Sequence, residues 1–377
     1  MLIQFNFRNF RSYKEDAVLD FTATKYTEHS GHIIEAGREK ILPAAVVFGA
    51  NGSGKTNLLR ALKFMKNLID DPETADELRC FGNESMQDHA SLFEVYFIDE
   101  KSGKTYRYGF ILETKRITEE WLDVKSRTGK QYKPVISRTD HIEISGISQA
   151  KLRKAENACE DGPVLPYCIK EYPEKFSEVS DFFSSLVFIS GEDPVCTDLS
   201  SVTGKELLSY VTSFDPSVTG IRISDQDIIV ERMNFEIPLS QESEGFRRML
   251  ALYPRLEDVL LNGKILAADN LGYGLHSLLL RNIIITFLHA SANPHHAQLI
   301  MTTHDSRLLS NHADCLRRDE IWFASKNEAG ESTLYSLAEF ADEDGVKIRK
   351  DENHEKNYMN GKYGAVPQLD YIRLSDK

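Results

Sequence analysis

The sequence predicts an α/β fold with a mixed or parallel sheet core, an inserted antiparallel β-lobe and a helical insertion. Short apolar runs near both ends of the chain, "AAVVFG" and "KILAAD", are typical of buried parallel strands, and each precedes a helical pattern. The middle of the chain shows alternating runs separated by turn signals, which predict hairpins. We therefore expect one sheet assembled from both ends. Residues 1–90 and 216–377 would form the two parts of the core, 91–146 the β-lobe and 147–215 the helical insertion.

Each element follows from its local pattern, taken in chain order. "LIQFNFRNF" alternates like a half-buried strand, and "TNLLRALKFMKNLI" carries Leu58, Leu62, Met65 and Ile69 at helical spacing. "LFEVYFID", "TYRYGFILE" and "ITEEWLDV" predict the hairpins, and "DIIVERMNFEIPL" predicts two further strands. "EGFRRMLALYPRLEDVLLNG" predicts a helix that is interrupted at Pro254 and ends at Asn262–Gly263. A strand, a helix, the strand "AQLIMTTHD" and a closing hairpin complete the order.

The composition of the 377 residues is that of an ordinary globular protein, with 41% hydrophobic and 27% charged residues. No run of about 18 apolar residues occurs, so no membrane span is predicted and no membrane partner is expected. The start of the chain lacks the basic and apolar regions of a signal peptide. Five cysteines without CxxC spacing argue against a zinc site and against a disulfide framework, so a reducing cytoplasm is expected.

The net charge of −13 argues against a protein that coats nucleic acid with its whole surface. The charge is nevertheless uneven, since Lys101–Lys154 contains thirteen Lys and Arg against six Asp and Glu. This segment is either a solvated basic face or a surface for DNA, RNA or an acidic partner.

"GANGSGKT" at Gly49–Thr56 matches the phosphate-loop pattern GxxxxGK[ST] and lies between a predicted strand and a predicted helix. Glycines allow backbone N–H groups to point at phosphate oxygens, and the helix adds its positive dipole end. Lys55 would neutralise the β- and γ-phosphates of ATP, and Thr56 would place its hydroxyl on Mg²⁺. The predicted nucleotide-binding residues of this loop are Gly49, Asn51, Gly52, Ser53, Gly54, Lys55 and Thr56.

Two later strands end in polar residues that would reach the same edge of the sheet. "ILAAD" would carry Asp269 to the magnesium beside Thr56, or is simply a buried strand that ends in an acid. "MTTHD" would bring His304 to the γ-phosphate, or His304 is a structural hydrogen-bonding group. In "LSQESEG", Ser243 and the backbone around Gly245 could donate to an anion, or Ser243 only caps a helix.

These motifs together resemble the ABC-type ATPase heads of the structural-maintenance-of-chromosomes (SMC) and RecF class. The closest resemblance is to compact AAA-family ATPases of bacterial anti-phage and abortive-infection loci, which are related to the overcoming-lysogenization-defect nucleases. It rests on "FRNFRSYK", "GANGSGKTN", "SQESEG", "DNL…LH", "TTHDSRLL" and "NYMNGKYGAVP". The resemblance implies a homodimer in which Ser243 and Gly245 close over ATP bound by the other protomer. It adds Asn57 to the loop and places Arg11 at the periphery of the nucleotide.

The sequence departs from that family at two places. Phe246 stands where the family has a small or polar residue. Asn270 stands where the family has the catalytic glutamate, and an amide cannot accept a proton as a carboxylate base does. Gly272 also replaces an acid of the following turn. The loss of a general base typically costs about 10²–10⁴ in rate, so slow hydrolysis is expected.

The sequence therefore predicts an ATP- and Mg²⁺-binding protein that dimerises on ATP and regulates a separate effector, a nuclease or a toxin encoded nearby. Its weakened hydrolysis would be either drift or a deliberate brake. One alternative is an active ATPase of DNA repair or DNA-end recognition, with Lys101–Lys154 touching DNA. The other is a scaffold that binds nucleotide permanently and never cycles.

Overall fold

The computed structural model describes residues 1–72, 80–82, 90–113, 116–191, 193, 204–223, 228–310, 313–341 and 347–367. Within these residues the chain forms eighteen strands and eight α-helices. The strands are β1 Leu2–Arg8, β2 Ala17–Asp20, β3 Ile34–Ala36, β4 Glu39–Ile41, β5 Ala44–Phe48, β6 Ser91–Ile98, β7 Thr105–Glu113, β8 Arg116–Lys125, β9 Lys133–Arg138, β10 Ile142–Ile144, β11 Leu186–Ser190, β12 Val218–Ile223, β13 Ile228–Arg232, β14 Glu236–Pro238, β15 Ile265–Asp269, β16 Gln298–Thr302, β17 Ile321–Lys326 and β18 Ser332–Ser336. The helices are α1 Lys55–Asp70, α2 Gln149–Ala158, α3 Val164–Glu171, α4 Pro173–Ser184, α5 Gly204–Phe214, α6 Glu244–Leu261, α7 Ser277–Leu288 and α8 His354–Met359.

The central sheet has six strands in the order β11–β15–β16–β5–β17–β18. All neighbours are parallel except the edge strand β18, which pairs antiparallel with β17. Strand β5, from the N-terminal part of the chain, lies between β16 and β17 from the C-terminal part. The predicted α/β fold with a core sheet built from both ends of the chain is thus confirmed.

A second sheet has seven antiparallel strands in the order β10–β9–β8–β7–β6–β1–β2. Strands β6 to β10 are the hairpins predicted for the β-lobe. The sheet extends beyond residues 91–146, because β1 pairs with β6 and β2 pairs with β1. The alternating burial of β1 fits this place, since an antiparallel sheet can pack one face and leave the other solvated.

The central sheet separates two apolar cores. Alternate residues of β5 face opposite sides: Ala45 and Val47 belong to the core shared with α1 and the antiparallel sheet, whereas Val46 and Phe48 belong to the core shared with α6 and α7. A helix on one side and two on the other bury every residue of β5. The strand that leads into the phosphate loop is therefore enclosed on both faces.

Helix α6 runs without interruption through Pro254, so the predicted break is wrong. A proline in a helix removes one hydrogen bond and crowds the preceding turn. Burial of Met249 and Leu250 before Pro254, and of Leu256 and Val259 after it, holds both halves in one helix. The predicted end is confirmed, with Asn262 as the C-cap residue and Gly263 at a left-handed φ of 61°.

None of the helices described combines the length and the apolar character that crossing a bilayer requires. Cys80, Cys159, Cys168 and Cys315 are free thiols, and Cys196 lies outside the described residues.

Candidate nucleotide-binding site

The loop from Gly49 to Gly54 connects β5 to α1 and is closely packed. A Cβ atom at Gly49 would collide with the carbonyl oxygen of Ala324, and one at Gly54 would collide with the hydroxyl of Ser332. Gly54 also has a φ of 111°, a region that side chains rarely tolerate. The loop therefore needs glycine at both ends in order to fit against the β17–β18 hairpin.

Lys55 is the first residue of α1, and its side chain turns back into the loop. Its Nζ donates hydrogen bonds to the carbonyl oxygens of Gly49 and Ala50, each at 2.8 Å. Only 6% of the residue is exposed. Burial lowers the pKa of Lys55 to about 8, against an opposing effect of the Asp269 carboxylate. An ammonium group is thus held at the N-terminus of a helix, where anions bind favourably.

Asp269 ends β15 beside the first turn of α1, as the sequence predicts. Its Oδ1 accepts hydrogen bonds from Thr56 Oγ1 at 3.1 Å and from Thr302 Oγ1 at 2.6 Å. A hydroxyl and a carboxylate at this separation fit Mg²⁺, which commonly binds one or two carboxylates together with phosphate oxygens and water. The predicted metal ligands Thr56 and Asp269, far apart in sequence, are therefore neighbours in the fold.

A cleft of about 950 Å³ opens above these groups, within the roughly 300–1,000 Å³ typical of small-molecule sites. The predicted residues that line it are Asn51, Gly52, Ser53, Gly54, Lys55, Thr56, Asn57, Asp269, Asn270 and His304. Gly49 lies at the base of the loop, where Lys55 contacts its carbonyl group. Arg11, Ser243 and Gly245 are not among the lining residues.

The cleft contains basic residues that the sequence analysis missed. Among the described residues, Arg60 and Lys63 of α1 and Lys326 at the end of β17 line it together with Lys55, against the carboxylates of Asp193 and Asp269. Arg60 and Lys63 follow Thr56 by four and seven positions, so helical periodicity could have identified them. No sequence signal marks Lys326. The cleft is thus locally positive in a protein of net charge −13, which favours a polyanionic ligand.

His304 follows β16 and presents an exposed side chain to the cleft. The next residue, Asp305, has its carboxylate engaged by the hydroxyl of Ser277 and by Arg307. Although burial acts to raise it, these hydrogen bonds lower the pKa of Asp305. Of these two neighbouring residues, only His304 lines the cleft.

Asn270 adopts a left-handed backbone conformation with a φ of 51°. Its N–H donates to Thr302 Oγ1 at 2.8 Å, and its carbonyl group accepts from the N–H of Tyr273 at 2.9 Å. Asparagine is one of the few residues that enter this conformation readily. The turn after β15 is therefore anchored through both the N–H and the carbonyl group of Asn270, a residue that lines the cleft.

Ser243 lies at the N-terminus of α6, where its hydroxyl accepts a hydrogen bond from the N–H of Phe246 at 3.2 Å. The residue is exposed, whereas Phe246 is buried and contacts the Phe214 ring at a centroid distance of 5.7 Å. The unusual Phe246 is thus a core residue. Gly245 packs closely against the carbonyl oxygen of Gly274.

Arg11 has a left-handed φ of 54° and places its guanidinium group 5.5 Å from the centre of the Phe10 ring. The adjacent Ser12 Oγ accepts a hydrogen bond from Asn57 Nδ2 at 2.8 Å. The N-terminal segment therefore reaches α1 through Ser12.

Several cations of the Lys101–Lys154 segment form ion pairs. Lys104 pairs with Glu178, Arg107 with Glu94, Arg116 with Asp161, and Lys125 with Glu39. Arg127, Lys130 and Lys133, in and after the β8–β9 connection, are exposed. Pairing weakens the positive field of the segment, so a nucleic-acid surface would depend on its exposed cations.

The strand order and the phosphate loop are those of a P-loop ATPase fold. Residues 44–151 and 169–310 match the family described as "AAA domain, putative AbiEii toxin, Type IV TA system". The chain belongs to this family of AAA domains. No curated protein matches the chain.

Similar solved structures are SMC head domains. The SMC head domain from Thermotoga maritima is 13% identical, with 89% of this chain and 98% of that chain covered and a TM-score of 0.44. An SMC head bound to the C-winged helix domain of ScpA is 13% identical, with 89% and 97% covered and a TM-score of 0.45. The SMC head from Pyrococcus furiosus, with an extended coiled coil and bound to the C-terminal domain of ScpA, is 12% identical, with 89% and 96% covered and a TM-score of 0.48.

Proposed function

We propose that this protein is an ATP-binding ABC-type ATPase that dimerises on ATP, hydrolyses it slowly and regulates a separate effector protein in bacterial anti-phage defence. The observation that carries the proposal is the cleft, which combines a phosphate loop, a buried lysine and the Thr56–Asp269 contact. These are the groups that a nucleoside triphosphate with its metal requires.

The cleft supports binding of a triphosphate because its charge is opposite to that of the whole protein. Lys55 would donate to phosphate oxygens in place of its present contacts with the loop carbonyls. Arg60, Lys63 and Lys326 would add to the positive field. Thr56 and Asp269 would hold Mg²⁺, which neutralises phosphate charge when bound.

Slow hydrolysis follows from the chemistry of Asn270. Asn270 lines the cleft, as Asp269 does. A side-chain amide can orient a water molecule, but it cannot take up a proton. Asp305, a carboxylate that could act as a base, does not line the cleft. Glu244 of an opposite protomer remains an alternative base, and within this chain it pairs with Arg248.

Dimerisation and control of an effector rest on two observations. The N-terminus of α6 with Ser243 is exposed and can reach a second protomer. The family description names a toxin–antitoxin system, which supports a function exerted together with a partner protein. ATP would bind the dimer and the separate protomers with different affinities. This difference would then decide which of the two states the protein adopts.

The test is ATP binding by calorimetry with Lys55→Ala and, as a matched control, Lys66→Ala. Lys66 lies on the same helix and pairs with Asp70. The loss of charged hydrogen bonds to phosphate should weaken binding by Lys55→Ala roughly a hundred-fold, while Lys66→Ala binds like the parent. Equal affinity of Lys55→Ala and the parent would refute the nucleotide site. Light scattering with and without ATP then tests dimerisation.

A further inference from the structure

Thr302, the last residue of β16, has a completely buried side chain that makes two hydrogen bonds. Its Oγ1 donates to Asp269 Oδ1 at 2.6 Å and accepts from the N–H of Asn270 at 2.8 Å. One hydroxyl thus contacts both the carboxylate proposed to hold Mg²⁺ and the peptide group of the residue beside it.

The place of Thr302 in the sheet explains why a side chain makes these contacts. Strands β15 and β16 are parallel neighbours, with Ala268 opposite Met301. Two residues after Ala268 the chain leaves the sheet, because Asn270 turns to a φ of 51°. The hydroxyl of Thr302 satisfies the Asn270 N–H at this point.

A hydroxyl group is needed because the two contacts require opposite hydrogen-bonding roles. It must donate to a carboxylate and accept from an N–H at the same time, which Ser and Thr can do and Val cannot. Valine would leave the Asn270 N–H and one carboxylate oxygen without this partner while keeping the volume of the side chain.

We infer that Thr302 is a positioning residue for the magnesium–nucleotide site. It fixes Oδ1 of Asp269 next to Thr56 and anchors the left-handed turn that presents Asn270 to the cleft. Its effect is exerted through Asp269 and Asn270. This inference rests on the proposed ATP and Mg²⁺ binding.

The experiment compares the parent with Thr302→Val and Thr302→Ser in calorimetric titrations with ATP, once with Mg²⁺ and once with EDTA. Losing a hydrogen bond to a charged group should weaken binding of Mg–ATP by Thr302→Val about ten- to a hundred-fold. Binding in EDTA should stay within about two-fold of the parent, since only the metal-dependent part is affected. Thr302→Ser, which keeps the hydroxyl, should restore the affinity for Mg–ATP.

Two controls separate positioning from general damage. Thr105→Val removes another buried threonine hydroxyl, on β7 in the antiparallel sheet, and should leave both titrations unchanged. If Thr302→Val yields too little folded protein, Thr302→Ala provides the same comparison.

Equal losses with Mg²⁺ and with EDTA would show a merely structural residue and overturn the inference. Unchanged Mg–ATP affinity of Thr302→Val would overturn it as well, with the proposed function intact. A parent that binds no ATP in either buffer would instead refute the proposed function.

Discussion

Replacement of Asn270 by glutamate should raise the turnover number for ATP. The new carboxylate would stand at the cleft beside Asp269 and could accept the proton of an attacking water, which the amide cannot do. A positioned general base supplies about 10²–10⁴ in rate. We expect a gain of about ten-fold or more, which can fall short of that range because the anchored turn limits how the longer side chain can be aimed.

The same replacement should lower the stability of the protein. Position 270 has a φ of 51°, which asparagine tolerates and glutamate does not favour. A left-handed conformation costs an ordinary residue roughly 1–2 kcal/mol, so the free energy of unfolding should fall by about this amount or somewhat less. Affinity for ATP should change little, since the carboxylate acts on the water and not on the phosphates.

The assay is phosphate release at saturating Mg–ATP, with Asn270→Gln as the matched control. Glutamine has the length and the backbone cost of glutamate but no proton acceptor, so the difference between the two variants isolates the base. His304→Ala in the Asn270→Glu background should erase the gain if His304 orients the γ-phosphate.

Two outcomes would refute the slow-hydrolysis argument. One is an equal rise in turnover for Asn270→Gln and Asn270→Glu. The other is a parent turnover number in the ordinary enzyme range of about 1–10³ s⁻¹ that Asn270→Glu leaves unchanged.

Three further predictions concern charge and the dimer. Because burial lowers the pKa of Lys55 to about 8, the free protein loses this charge as the pH rises through about 8. ATP affinity should therefore fall between about pH 8 and pH 10, and calorimetry should show that Lys55→Ala lacks this dependence. Ser243→Arg should abolish an ATP-dependent dimer in light scattering while ATP binding persists, at a capping cost of about 1 kcal/mol. An unchanged dimer in Ser243→Arg would leave Ser243 as a helix cap only. Replacement of Arg127 and Lys130 by glutamate should weaken any binding of DNA or RNA and flatten its salt dependence in fluorescence titrations. Unaltered titration curves would show that this region is only a solvated face.

The sequence predicts the phosphate loop well because that motif is local. Glycine spacing, a buried strand and a helical pattern occur together within about twenty residues. Lys55 and Thr56 lie at the start of the helix, where these patterns predict them. Asp269 can be predicted in the same way, since an apolar strand that ends in an acid is a strong local pattern. The positions of these groups need no knowledge of distant packing.

The contacts that depend on strand order could not be predicted in this way. Thr302 and Lys326 reach the cleft because β16 and β17 flank β5, and no local pattern encodes that neighbourhood. The pairing of β1 with β6 was missed for the same reason. At Pro254 the local pattern itself misleads. Proline predicts a break in the helix, but burial of residues on both sides of it outweighs this local signal.

The insertion of β5 between β16 and β17 also matters during synthesis. Roughly 250 residues separate Phe48 from Gln298, and a ribosome adding about 5–20 residues per second needs about 12–50 s to make them. The antiparallel sheet is complete by Ile144, so we expect it to fold first and to shelter the Ala45 and Val47 side of β5. The nucleotide cleft can form only when the last strands emerge, so a partly made chain would not respond to ATP.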